Sequence, residues 1–349
     1  MAAILVGAAA LVGADGSAGD ARADTEPPLA VVDLHVDVPW QVHYKGRDPG
    51  LGDGQASLAA LEAGHYGAIV FPIYLPDKPP KGGETTIADA DAVFATIEKI
   101  IAKSPAFLPL LAPYAEPGRI TTYLSIEGAG PFAADVTAID RFIARGLRLV
   151  SPCHASNTKL ASSATGKHTT EGLTELGRQF VERVYAGGAL VDVSHVSDAT
   201  FTDLVPIAKR WGAPIVATHS NARALANQPR NLTDEQLRII GETGGVAGIN
   251  FHAPFVTGES TATLDDVVKQ ILYMAKIAGK EHVAVGSDFD GGIRPADGLD
   301  DASTFPKLAR ALEAAGMSRD DVRAVFGLNA LRVLGWRSPK HLAEQAAKR

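Results

Sequence analysis

At 349 residues, 46% hydrophobic and 21% charged, the chain can bury a large core, and its length suits one α/β barrel or two ordinary domains. A net charge of −7 and a pI near 5.8 argue against nucleic acid or anionic lipid as the main partner. The single cysteine, Cys153, excludes an intrachain disulfide and a thiolate-rich zinc site, so any metal must be held by His, Asp and Glu.

The chain opens on an apolar run from Ala2 to Ala14, too short to span a bilayer comfortably and with no Lys or Arg before it. Ala21-Arg22-Ala23 then gives an Ala-x-Ala cleavage pattern. Residues 1–23 therefore read as a cleaved export signal and 24–349 as the mature domain, which places it in the periplasm or outside the cell and leaves membrane association open. After Pro27-Pro28, short apolar runs recur at 31–38, 68–74, 120–126, 147–151, 190–194, 215–218, 246–251 and 283–287. Helical patterns fill the gaps. Leu173, Leu176, Phe180 and Val184 are spaced by three and four within 170–187, which ends in Gly187-Gly188. Ser197 can cap 198–211, and Thr233 with Gln236 makes a capping box for the next helix. Helices over 261–278 and 301–315 follow, and Ser318 with Asp321 opens a closing helix over 319–334. Eight strands alternating with helices predict a single (β/α)8 TIM-type barrel. An open doubly wound sheet would want a glycine-rich phosphate turn after its first strand, where His35-Val36-Asp37-Val38-Pro39-Trp40 stands instead. Residues 78–84 read as a surface loop.

In such a barrel, chemistry sits at the carboxyl ends of the strands. Reading those ends gives His35 and Asp37, then Tyr74, Glu127, His154, His195, His219, Asn250, and Asp288 with Asp290. His35 and Asp37 lie two apart, so on a strand over 31–38 they share one side and form half of a divalent-metal site. Taken singly, each of these residues has an ordinary structural reading. A lone histidine is usually a hydrogen-bonded core residue, and Glu127, His195 and His219 could each serve a following helix. Recurrence at one end of the barrel points instead to a site. Three histidines, an aspartate and a glutamate exceed the needs of one four-coordinate zinc, which suggests two ions ~3.5–4 Å apart holding a hydroxide between them. Asp288, beside two cations, is then ionised and can carry a proton from the attacking water to the leaving amine, while Asp290 caps or orients the loop.

The ordered set resembles a known family. The matching segments are His35-Val36-Asp37-Val38-Pro39-Trp40, Ile126-Glu127-Gly128, Gly172-Leu173-Thr174 with Gly177-Arg178, and Val191-Asp192-Val193-Ser194-His195-Val196-Ser197. His219-Ser220, Pro229-Arg230-Asn231-Leu232 and Gly286-Ser287-Asp288-Phe289-Asp290-Gly291 complete it. Together they resemble the membrane (renal-type) dipeptidases, zinc enzymes of the amidohydrolase-like barrel class, from about Val31 to Leu334. The resemblance implies one Zn2+ on His35 and Asp37, a second on His195 and His219, and Glu127 bridging them. It implies that His154 contacts the scissile carbonyl oxygen and that Arg230 grips the free carboxylate of the dipeptide. A guanidinium fork suits that carboxylate, although without the family a surface salt bridge would be the ordinary reading of Arg230.

Departures fall at the substrate end. Leu160 stands where the family usually has tryptophan, which predicts a reshaped side-chain pocket, and His252 stands where the animal enzymes present a tyrosine to the substrate carboxylate. The expected activity is hydrolysis of small dipeptides, L,D-dipeptides included, by two zinc ions or other divalent ions, with homodimerisation a family-level expectation. A same-fold binuclear hydrolase acting on a lactam or N-acyl amino acid is the alternative. An inactive metal-binding surface protein is remote, because all six metal and proton-carrier residues are present.

Overall fold

A computed structural model of the protein describes residues 29–80, 82–114 and 118–339, so the export signal expected over 1–23 lies outside the described residues. Eight strands form one parallel sheet: β1 (Val31–Asp33), β2 (Tyr66–Tyr74), β3 (Thr121–Glu127), β4 (Leu147–Ser151), β5 (Leu190–Val191), β6 (Val216–Ala217), β7 (Val246–Ile249) and β8 (Val283–Val285). Their order, β5-β4-β3-β2-β1-β8-β7-β6, leaves β5 and β6 at the two edges. One parallel bridge, Asp192 to Val216, and one hydrogen bond from Val193 N to Val216 O (2.8 Å) join those edges. The sheet is therefore a nearly closed (β/α)8 barrel, as the alternating pattern predicted. Almost every strand residue is buried, because each strand has the barrel interior on one face and helices on the other.

Two helices begin where the caps predicted: Ser197 opens Asp198–Trp211, and Thr233 with Gln236 closes a capping box on Asp234–Glu242. The helix expected over 170–187 starts later, as Glu175–Ala186, because Thr174 caps it by accepting from Gly177 N. The closing helix expected over 319–334 is present but carries one wide π turn, Ala324–Leu328, between Arg319–Arg323 and Asn329–Leu334. Asn329 Nδ2 ties that segment to the start of β8 through Lys280 O (2.9 Å) and Val283 O (2.8 Å).

The strands are shorter than their apolar runs, and the first differs in kind. β1 stops at Asp33, not at Val38. Asp33 Oδ1 accepts from His35 N (3.1 Å) and from Ser287 N at the end of β8 (2.9 Å), while Oδ2 accepts from Tyr66 Oη (2.9 Å). This carboxylate turns the chain out of the ladder, and Pro39 then sits in the first turn of the helix Val38–Lys45. His35 and Asp37 thus meet through a turn rather than through the alternation of a strand.

Candidate metal centre and substrate pocket

Each site residue is delivered by a local device at the carboxyl end of the barrel. Glu127 ends β3, paired with Tyr74 on β2 and Ser151 on β4. Gly128 follows with φ +86°, and a Cβ there would lie 2.7 Å from Leu75 O, so only glycine lets the two chains pass. At β5 and β6 the organiser is Asp192. Its Oδ1 accepts from Ser194 N (3.0 Å), Ser194 Oγ (2.8 Å) and Thr218 N (2.9 Å), and its Oδ2 accepts from Thr218 Oγ1 (2.7 Å). Since the Thr218 hydroxyl donates to Asp192, it accepts from His219 Nδ1–H at 2.7 Å, which leaves the Nε2 lone pair of His219 facing the centre. Asp33 on β1 and Asp192 after β5 do the same work: each clasps its own chain to the neighbouring strand end.

Three overlapping groups have ligand atoms mutually within 4.8 Å: His35, Glu127 and His219; Glu127, His154 and His195; and His35, Asp37 and Asp288. Glu127 Oε1 is the hub, 2.8 Å from His195 Nε2 and 3.7 Å from the Nε2 atoms of His35 and His219. His35 Nε2 is 3.3 Å from Asp37 Oδ2, and the Nε2 atoms of His195 and His219 are 3.0 Å apart. Burial opposes charge on all of them. On His35 the Asp37 and Glu127 carboxylates outweigh burial and push the imidazole up to about 10. Glu127 is held well below the usual range because His35 and His154 overcome its burial. His195 and His219 are driven well below theirs by burial, reinforced by Arg230 for His195 and by His35 for His219, so both are neutral. Asp288 is pushed up to about 7 by burial and then by the Asp37 carboxylate.

This donor set fits divalent cations. Asp37, Glu127 and Asp288 converge with little solvent to neutralise them, two neutral imidazole nitrogens face the same Glu127 oxygen, and both ring nitrogens of His35 lack a hydrogen-bond partner among the described residues. Each of the three groups could hold an ion, with Glu127 and His35 each shared between two of them.

A cavity of about 270 Å³ opens above this cluster. Asp37, Glu127, His154, His195, His219, Arg230, His252 and Asp288 all line it, and His35 lies beneath, 1% exposed. Every residue singled out in the sequence as catalytic, metal-binding or substrate-binding therefore comes together. Arg230 is buried at the pocket wall, 5.5 Å from the Phe255 ring, and donates to His195 Nε2 (3.2 Å) with no carboxylate partner among the described residues. A surface salt bridge is not its role. His252 Nδ1 accepts from Arg294 N (3.0 Å), and burial holds the imidazole below its usual range, so the neutral ring keeps its proton on Nε2. Leu160 does not fit its expectation. It is fully buried and does not line the pocket, and its carbonyl would lie 1.9 Å from a Cβ at Gly177 on the neighbouring helix.

Sequence reasoning missed several participants. Trp40, Phe255 and Ile293 line the pocket, and Asp77 Oδ2 lies 3.6 Å from His154 Nδ1. Trp40 was legible only as part of the His35 segment, and the loop residues carried no local signal.

A parallel barrel with a His/Asp/Glu cluster at its carboxyl mouth defines a metal-dependent hydrolase of the amidohydrolase-like class. The family model described as Membrane dipeptidase (Peptidase family M19) matches residues 26–348, and the chain belongs to that family. Dipeptidase ataJ of Aspergillus terreus is 30% identical over 327 residues, covering 84% of this chain and 79% of its own. A metallo peptidase from Rhodobacter sphaeroides, solved with a phosphinate mimic of the dipeptide L-Ala-D-Ala, superposes with a TM-score of 0.79 at 25% identity, covering 88% of this chain and 98% of its own. The crystal structure of dipeptidase AC, a metallo peptidase, gives the same TM-score at 27% identity, covering 89% of this chain and 99% of its own. Among the described residues no helix is long and apolar enough to cross a membrane.

Proposed function

We propose that this protein is an exported binuclear zinc dipeptidase that cleaves the single peptide bond of small dipeptides, L,D-dipeptides included. The observation that carries the reading is the buried Arg230 guanidinium, without an ion-pair partner among the described residues, in the same cavity as the metal-binding cluster. It supplies a fixed cation for a free C-terminal carboxylate, and a cavity of about 270 Å³ limits what lies beyond the scissile bond. The Rhodobacter sphaeroides relative, solved with its L-Ala-D-Ala mimic, supports the stereochemical range. Bound cations would polarise the scissile carbonyl, lower the pKa of water and hold Asp288 as a carboxylate. Asn250 Nδ2 holds Asp288 Oδ2 (2.9 Å), which leaves Oδ1 to take the proton of the attacking water and return it to the leaving amine. His154, with Asp77 beside its Nδ1, has Nε2 left for the carbonyl oxygen. Nε2–H of His252 is a neutral donor for the substrate carboxylate beside Arg230.

In the same reading, residues 1–23 are removed on export, 24–349 form the mature enzyme, and the enzyme is a homodimer that can sit at the cell surface. The test is a panel of L,L- and L,D-dipeptides against lactams and N-acyl amino acids, using enzyme reconstituted with zinc and assayed for bound metal. Turnover of dipeptides alone, with about two ions per chain and loss of most turnover in Asp288→Asn at unchanged metal content, is the expected result. Wild-type turnover by Asp288→Asn would end the proton-carrier assignment.

A further inference from the structure

The turn that carries Asp288 is held open by an unusual means. Asp288 and Asp290 both adopt left-handed backbone, φ 64° and 65°, on either side of the fully buried Phe289. That conformation is costly for residues with a Cβ and persists only where neighbours enforce it. The enforcement centres on Asp290. Its amide donates to Gln55 Oε1 (2.8 Å) and its carbonyl accepts from Gln41 Nε2 (2.6 Å). Its Oδ1 accepts from Gln55 N (2.9 Å), and its Oδ2 accepts from Ala56 N (3.1 Å) and from an Arg47 guanidinium nitrogen (2.6 Å). The Arg47 and Asp290 side chains are 8% and 6% exposed, and the remaining Arg47 nitrogens donate to the side chain and carbonyl of Asp53. Gln41, Arg47 and Gln55 belong to the first helix and the loop behind it, and neither they nor Asp290 line the pocket.

We propose that Asp290 and Arg47 are positioning residues for the hydrolytic step: they clamp the loop at 46–57 onto the turn after β8 and so aim the Asp288 carboxylate. This rests on the reading of Asp288 as proton carrier. Without the guanidinium, Asp290 is left as a buried carboxylate with only backbone amides for partners, and the left-handed pair loses the one charged contact among those that tie it to the loop at 46–57.

The test is a double-mutant cycle on zinc-loaded enzyme, with kcat, KM, bound metal per chain and thermal midpoint measured for each variant. Arg47→Gln and Asp290→Asn are expected to lower kcat roughly 10- to 100-fold, the cost of misplacing a reacting group by about 1 Å, with KM within about twofold and metal content unchanged. Arg47→Lys, which keeps the charge but not the fork, recovers part of the loss, and the Arg47 variants carry the test if Asp290→Asn does not fold. In an Asp288→Asn background the same substitutions cost no further kcat. Full additivity with Asp288→Asn, a fall in bound metal parallel to kcat, or unchanged kcat in the single variants each overturns the proposal. Wild-type turnover by Asp288→Asn alone removes the underlying reading, and the proposal with it, before the double variants are needed.

Discussion

Replacing Gly291 with alanine tests how closely backbone and carboxylates are fitted in this centre. A Cβ at position 291 would lie 2.6 Å from Asp37 Oδ2, 2.6 Å from Asp288 Oδ1 and 3.0 Å from Asp288 O. The backbone torsions at Gly291 do not forbid a side chain, because it is absent from the positive-φ glycines; the obstacle is the two carboxylates. Ordinary contact starts at 3.4 Å, so both oxygens must retreat by about 0.8 Å. One belongs to a proposed metal ligand and the other to the proposed proton carrier, and both side chains are already engaged: Asp37 Oδ2 lies 3.3 Å from His35 Nε2, and Asn250 Nδ2 holds Asp288 Oδ2 (2.9 Å). A displacement approaching 1 Å at a reacting group costs on the order of 100-fold in rate. Steady-state hydrolysis of a dipeptide, with bound zinc measured on the same sample, should show kcat down about 100-fold, with weaker metal retention. Wild-type kcat and full metal content in Gly291→Ala would mean that the carboxylates are not where the site needs them.

Three further outcomes follow from the geometry. Arg230→Ala should raise KM for dipeptides by one to two orders of magnitude, roughly the value of a charge-assisted bidentate contact, and admit amide-capped substrates; an unchanged KM ratio between free and capped dipeptides would remove the anchor role. Asp192→Asn breaks the relay through Thr218 that fixes the His219 tautomer and should weaken metal affinity about 10- to 100-fold with little change in fold, as read by competition with a chelator and by circular dichroism. Chelation of the wild-type enzyme should abolish turnover and speed amide hydrogen exchange around 192–195 and 216–219 before it does so in β2 and β3; uniform exchange across the barrel would refute the local effect.

Much of the barrel was legible because each parallel strand is buried on both faces and so reads as a continuous β-branched run. Such a run marks a strand but not its end, since apolar residues continue after the ladder has stopped. At β1 the ladder ends because Asp33 captures the His35 and Ser287 amides, a contact spanning 254 positions to Ser287 that no local pattern encodes. The metal-binding residues could be read because chemistry restricts them to His, Asp and Glu at strand ends. Arg47 and Asp77 could not, since they lie in loops, nor could Phe255, on the five-residue helix Ala253–Thr257; all three are placed by tertiary contact. Leu160 shows the converse limit. Resemblance predicted a pocket residue there, yet the structure packs it beneath the helix Glu175–Ala186.

The seam between β5 and β6 carries a last consequence. A single backbone bridge closes the cylinder there, and His195 and His219 stand on its opposite lips. Cations gathered by those two side chains would rivet the wall along its most weakly stitched line. The ion would then be a structural fastener as well as a reagent, and metal starvation would loosen the wall of the reaction chamber itself.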